Sequence, residues 1–213
     1  MSAARLRVAV AGFGPFPGVP KNPSGEIVRA IAMMQRFRTA NIALDTAIFQ
    51  TSYGAATEEL EKLIAKKPAA IVLFGVAGGA KHIRIETIAR NRASILHPDH
   101  ARFTPAVRKL VSDGADQLAV RGPAMRLRAA IRATGAKAEL STDAGSYLCN
   151  AVFYQALAAT AATNPAPLTF FIHVPMDGTR TFTARMLIRA GNAAVWVAAN
   201  EASRAHSVPA RHG

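Results

Sequence analysis

The chain has 213 residues, of which 50% are hydrophobic and 18% charged, with 26 Lys and Arg against 13 Asp and Glu for a formal net charge of +13. At ~100–200 residues per domain, that length predicts one domain with a full core, and the hydrophobic share excludes intrinsic disorder. The single cysteine, Cys149, excludes an internal disulfide framework and a thiolate-rich zinc site.

The N-terminal run Val8–Ala11 is too short for a signal peptide, and no apolar stretch approaches the ~20 residues of a membrane span. A cytoplasmic protein is expected, with one α/β domain over residues 1–205 and a disordered basic tail over 206–213. The positive charge raises nucleic acid as a partner. Its densest part, Arg102 to Lys137, carries one aromatic, Phe103, and no nucleic-acid-binding motif, so solvated helix faces account for it more simply.

In chain order, Leu6–Ala11 reads as a strand buried on both faces. A Gly- and Pro-rich loop, Gly12–Pro23, precedes a helix capped by Ser24 and running to about Gln35. Ile42–Phe49 predicts a second strand, Ala56–Lys66 an amphipathic helix, and Ala69–Phe74 a third strand closed by the turn Gly75–Gly79. Residues 83–97 alternate loosely, as an extended pair or hairpin would. The stretch from Pro98 to Gly122 has no readable pattern. Pro123–Thr134 predicts a helix ended by Gly135, and Lys137–Leu140 a short strand. A helix from Ser146 to about Ala162, a strand Leu168–Val174 and a helix Thr181–Ser203 complete the chain. Such alternation implies helices on both faces of a parallel sheet, with the site at the carboxyl ends of the strands.

Four groups of residues carry possible chemistry. Gly12-Phe13-Gly14-Pro15-Phe16-Pro17-Gly18 is not a dinucleotide fingerprint, because Pro17 stands where the third glycine is required and no helix follows at once. Its Phe13 and Phe16 either pack inward or form an apolar wall for a small ligand. Cys149 falls in the first turn of a helix that follows a strand and the turn Ala144-Gly145. Free N–H groups and the helix dipole there favour a thiolate and can hold an oxyanion. His173 ends an apolar strand, where a base for a thiol would stand. Glu86, set among basic neighbours, gains meaning as the group that orients His173. His82, His97, Asp99 and His100 are set aside as a metal cluster, since the segment is broken by proline and no second cluster supports it.

Taken together, these segments resemble the pyroglutamyl peptidase I (pyrrolidone-carboxylate peptidase) family of cysteine peptidases. The resemblance rests on Gly12-Phe13-Gly14-Pro15-Phe16 with Asn22-Pro23-Ser24, on Gly75 to Asn91, on Ser141 to Asn150, and on Phe171-Ile172-His173-Val174-Pro175. It implies a three-layer α/β/α sandwich around a mixed, mostly parallel sheet, no cofactor, no metal, and a homotetramer. It also implies hydrolysis of the amide bond after an N-terminal pyroglutamyl residue. Cys149 would be nucleophile, His173 base and then acid, and Glu86 orienter. Phe13, Phe16, Thr46, Tyr147 and Leu148 would bind the lactam ring. Ala80, Arg84, Thr87 and Leu96 depart from the family's pattern around the glutamate. That cluster motivates an alternative, a catalytically impaired homologue that binds a small ligand; a basic nucleic-acid-binding protein ranks behind it.

Overall fold

The computed structural model describes residues 5–176 and 182–207. The elements are β1 (Leu6–Phe13), α1 (Pro23–Ala32), α2 (Gln35–Thr39), β2 (Ile42–Phe49), α3 (Tyr53–Ala65), β3 (Ala70–Val76), β4 (Ile83–Glu86) and β5 (Ile88–Arg90). They continue with β6 (Gln117–Ala119), α4 (Ala124–Ala133), β7 (Ala138–Ser141), α5 (Leu148–Ala159), β8 (Leu168–Val174) and α6 (Ala184–Ser207). Six strands form one sheet in the order β2-β1-β3-β8-β4-β7, parallel throughout except where β4 meets β8. The three-layer sandwich around a mixed, mostly parallel sheet is therefore present.

Both faces of the sheet are covered, which is why its central strands read as continuous apolar runs. Val8, Val10, Val72, Phe74, Phe170 and Ile172 face one core, filled from α1, α4 and α6 by residues such as Ile27, Ile31, Leu127 and Val195. Ala9, Ala11, Ile71, Leu73 and Phe171 face the other, filled from α3 and α5 by Leu60, Leu63, Phe153 and Leu157. This parity later decides which side chains can meet. No helix among the described residues is long and apolar enough to cross a membrane.

Several expectations need correction. The cap of α1 is Asn22, whose Oδ1 accepts the Ser24 N–H at 3.1 Å. Pro23 takes the first helical position, so the cap moves one residue earlier. Ser24 instead turns its hydroxyl to the end of β1, where it accepts the Phe13 N–H at 3.0 Å. The short α2 and the separation of β4 from β5 were not anticipated. Residues 83–97 do not fold back as a hairpin, because only Thr87 lies between β4 and β5 and offers no turn. Thr87 sends both its N–H and its hydroxyl to the Ser141 carbonyl, at 2.7 and 2.8 Å. β4 is thereby inserted between β8 and β7, while β5 pairs with β6 in a separate two-stranded sheet.

Helix α5 starts at Leu148 and is not capped by Ser146; Tyr147 holds the cap position without a side-chain bond. Helix α6 reaches Ser207, four residues beyond the expected end. Its expected first residue, Thr181, and residues 208–213 of the expected tail lie outside the described residues.

Candidate active site

The turn between β7 and α5 is built from short side chains bonded to nearby backbone. The Ser141 hydroxyl accepts the Asp143 N–H at 3.2 Å, and the Asp143 carboxylate accepts the Gly145 N–H at 3.1 Å. Gly145 has φ +81°, a conformation that costs glycine little. The chain then enters α5 with Cys149 as its second residue. The first intrahelical bond is the Ala151 N–H to the Tyr147 carbonyl, at 3.1 Å. The N–H groups of Leu148, Cys149 and Asn150 therefore have no acceptor within the helix.

Sheet parity brings the other two groups to Cys149. His173 shares a face of β8 with Phe171, the face packed by α5, and its ring lies edge-on to Phe171 at 5.0 Å between centroids. On β4, Ile83 and Ile85 point to the opposite core, so Glu86 points to the His173 side. In the antiparallel register Glu86 stands across from Phe171, one diagonal step from His173. Its Oε1 meets His173 Nδ1 at 2.8 Å, and Glu86 is fully buried. The other ring nitrogen remains for Cys149, whose side chain is hydrogen-bonded to the imidazole.

Burial pulls His173 toward its neutral form. The negative charge and hydrogen bond of Cys149, followed by those of Glu86, outweigh it and push the imidazole from 6.5 up to about 9. Among the described residues Glu86 Oε2 is buried with no hydrogen-bond partner, and His173 is the group that meets this carboxylate.

Asn150 anchors the arrangement from behind. It is fully buried, accepts the Arg90 N–H at 2.8 Å, and donates to the carbonyls of Arg90 and Arg92 at 2.8 and 2.7 Å. Replacing Asn150 with alanine would strand three backbone groups and is expected to cost about 3 kcal/mol in a denaturant titration. A loss under 1 kcal/mol would mean that water takes over the bonds.

Beside Cys149 lies a cavity of about 360 Å³, walled by Phe13, Phe16, Pro17, Val76, Pro98, Tyr147 and Leu148. Asn22, Thr51, Asp99 and His100 add polar atoms to the wall. Asn22 holds the Phe13–Phe16 loop by donating to the Gly14 carbonyl at 2.9 Å. The Thr51 hydroxyl is buried with no hydrogen-bond partner among the described residues. Burial, followed by the charges of Asp99 and Cys149, raises the Tyr147 phenol and keeps it neutral, and it donates to the Pro98 carbonyl at 3.0 Å.

Of the residues singled out from the sequence, Cys149, His173 and Glu86 come together, and Phe13, Phe16, Tyr147 and Leu148 line the cavity beside them. Thr46 does not. It sits mid-strand in β2 opposite Val10, exposed, away from the strand ends where the cavity opens. Thr51, just past the end of β2, occupies the place expected for it.

Gly75 was also missed as a site residue. A Cβ on it would lie 2.8 Å from Cys149 Sγ and 2.8 Å from Phe171 Cζ. The signal was available, since a glycine inside an apolar strand marks a close approach. Asp99, considered only as a metal ligand, instead accepts the N–H groups of Tyr53 and Phe103 at 2.8 and 2.9 Å. The departures leave the three central side chains in contact. Ala80 closes a turn, Arg84 faces Glu139 at 3.6 Å, Thr87 bonds Ser141, and Leu96 is exposed.

The sequence matches the profile of the pyroglutamyl peptidase family over residues 6–198. The chain belongs to this family. It is 30% identical over 172 residues to the pyrrolidone-carboxylate peptidase of Bacillus subtilis, covering 80% of this chain and 79% of the relative. With that of Cupriavidus taiwanensis the identity is 32% over 171 residues, covering 79% and 77%. Among solved structures, pyroglutamyl peptidase I from Bacillus amyloliquefaciens superposes with a TM-score of 0.84 at 24% identity, covering 93% of this chain and 97% of that one. Pyrrolidone carboxyl peptidase from Thermococcus litoralis gives 0.83 at 26% identity, covering 93% and 96%. Membership in this peptidase family favours a hydrolase over a ligand binder or a nucleic-acid-binding protein.

Proposed function

We propose that this member of the pyroglutamyl peptidase family is a cysteine exopeptidase that hydrolyses the amide bond after an N-terminal pyroglutamyl residue. The observation that carries this reading is the contact chain Cys149–His173–Glu86 at the edge of an apolar slot. A pyroglutamyl group is flat, uncharged and without a free amine. It suits a wall of Phe13, Phe16 and Leu148 with a few polar atoms, among them Thr51, and the one carboxylate in the wall, Asp99, already accepts the backbone N–H groups of Tyr53 and Phe103.

In the reaction, the Cys149 sulfur attacks the pyroglutamyl carbonyl carbon. The developing oxyanion is held by N–H groups at the start of α5. His173 gives its proton to the departing amine as the C–N bond breaks, leaving a thioester on Cys149. Water then attacks the thioester while His173 takes its proton, releasing pyroglutamate and restoring the thiolate–imidazolium pair. Glu86 keeps Nδ1 occupied, so that the other ring nitrogen faces sulfur and substrate.

The test is release of a fluorogenic amine from its pyroglutamyl amide under reducing conditions, followed against pH. The imidazolium supplies the leaving group's proton, so kcat/KM should decline as pH rises past about 9, where His173 loses it. A profile still flat above pH 10 would remove the imidazolium from the mechanism. Catalysis without a cofactor, a single domain over residues 1–205, a cytoplasmic location and a homotetramer belong to the same proposal. They are supported by the resemblance of the motifs, and sedimentation velocity tests the last.

A further inference from the structure

We propose that the cavity between α4 and the first residues of β4 and β7 is a second binding site. It takes a compact, non-aromatic molecule that carries two neighbouring phosphate groups. The site is separate from the cavity beside Cys149 and does not depend on the peptidase reading.

This cavity has a volume of about 500 Å³, against about 360 Å³ beside Cys149, and the two share no wall residue. They also lie on opposite faces of the sheet. Helix α4 packs Leu127 and Ile131 into the core filled by α1 and α6, whereas Cys149 belongs to the α3 and α5 side. Lining the cavity are His82 just before β4, Arg128 and Arg132 of α4, Gly135, and Lys137 and Glu139 beside and within β7. The backbone beneath them is tied. Gly135 has φ +91° and turns the chain from α4 toward β7, and the Ile83 N–H donates to the Lys137 carbonyl at 2.9 Å.

The charge in this wall is unbalanced. Arg128 and Arg132 stand one helical turn apart, so their like charges share a face at a cost to the helix, and α4 carries no acid. Neither they nor Lys137 have an ion pair among the described residues. Arg126, on the same helix but outside the cavity, is paired with Glu201 at 2.6 Å. Arg132 is in the last turn and gains from the negative end of α4; Arg128 and Lys137 have no such compensation. The one acid in the wall, Glu139, lies between His82 and Arg84, 3.6 Å from a nitrogen of each.

Two guanidinium forks and an ammonium group turned into one cavity match phosphate oxygens, which guanidinium meets two at a time. The width exceeds what a single phosphate fills, and three unpaired cations call for more than one negative charge. No phenyl, phenol or indole ring lines the cavity, so it offers nothing on which a nucleobase would stack.

The experiment titrates the full chain with inorganic pyrophosphate, with orthophosphate, sulfate and chloride at matched ionic strength as controls. Calorimetry should show saturable pyrophosphate binding, and a thermal melt should show a rise in Tm that the controls do not reproduce. NMR of the unaltered protein locates the site: the His82 ring protons should shift along the titration while those of His173 stay in place. Arg128→Gln together with Lys137→Gln should weaken binding about tenfold or more, as loss of charge-assisted hydrogen bonds does. Removing two exposed cations elsewhere, Arg38→Gln with Arg108→Gln, should change it by about twofold at most, because distant charges are screened. Equal stabilisation by sulfate or chloride, a stationary His82, or equal losses in the two double variants would assign the effect to the chain's overall charge and overturn the proposal.

Discussion

Cys149→Ala is expected to lower hydrolysis of a pyroglutamyl amide by about 10⁴-fold or more, because no other group can form the thioester and the remaining machinery acts only through it. The thiol is partly exposed at the start of α5, so stability should change by about 1 kcal/mol at most. The same variant carries a second expected result. The Cys149 charge and hydrogen bond are the largest influences opposing the burial of His173. With them gone, burial opposed by Glu86 alone should bring the imidazole well down from about 9, as an NMR titration of the ring protons would read. Activity that survives the substitution would end the nucleophile assignment. An imidazole that still titrates near 9 would show that Glu86 alone holds the charge.

Gly75→Ala should also damage catalysis, to a lesser degree than loss of the thiol, although glycine contributes no chemistry. β3 places Gly75 beside His173 in the parallel register, and parity turns its missing side chain toward α5. An added methyl would come within 2.8 Å of both Cys149 Sγ and the Phe171 ring. Neither neighbour yields freely, since Cys149 is fixed by the helix and Phe171 packs against Phe153 at 5.7 Å between centroids. A shift of about 1 Å in the sulfur costs on the order of 100-fold in rate, and the overpacking costs about 1–3 kcal/mol. A fluorogenic assay beside a thermal melt separates the two effects. Near-normal kcat with a lowered Tm would mean that the helix moves as a body and the site is retained.

The glutamate segment illustrates how chemistry and placement came apart in reading the chain. Cys149 and His173 could be singled out from their local settings and Glu86 from the family's motif, yet nothing local says that Ile83–Glu86 leaves its sequence neighbours and inserts beside β8. A hairpin over residues 83–97 had comparable local support. The decision is made by Ser141, whose carbonyl takes two bonds from Thr87, and by the core that receives Ile83 and Ile85. Without that insertion Glu86 would not reach His173. Thr46 and Thr51 tell the same story on a smaller scale. Thr46 lies within the second strand and Thr51 just past its end, and only the tertiary structure shows which one reaches the cavity.

The amino-acid sequence by itself determined the layered α/β class, the ends of most strands and helices, and which cysteine, histidine and glutamate to look for at the strand ends. Apolar runs, turn residues and the family's motifs are local signals, and local periodicity is enough to read them. Tertiary structure decided the order of strands, the cap of α1 and the need for glycine at position 75. Each of these depends on contacts between residues far apart in the chain, where packing and backbone hydrogen bonds outweigh the preferences of any one segment.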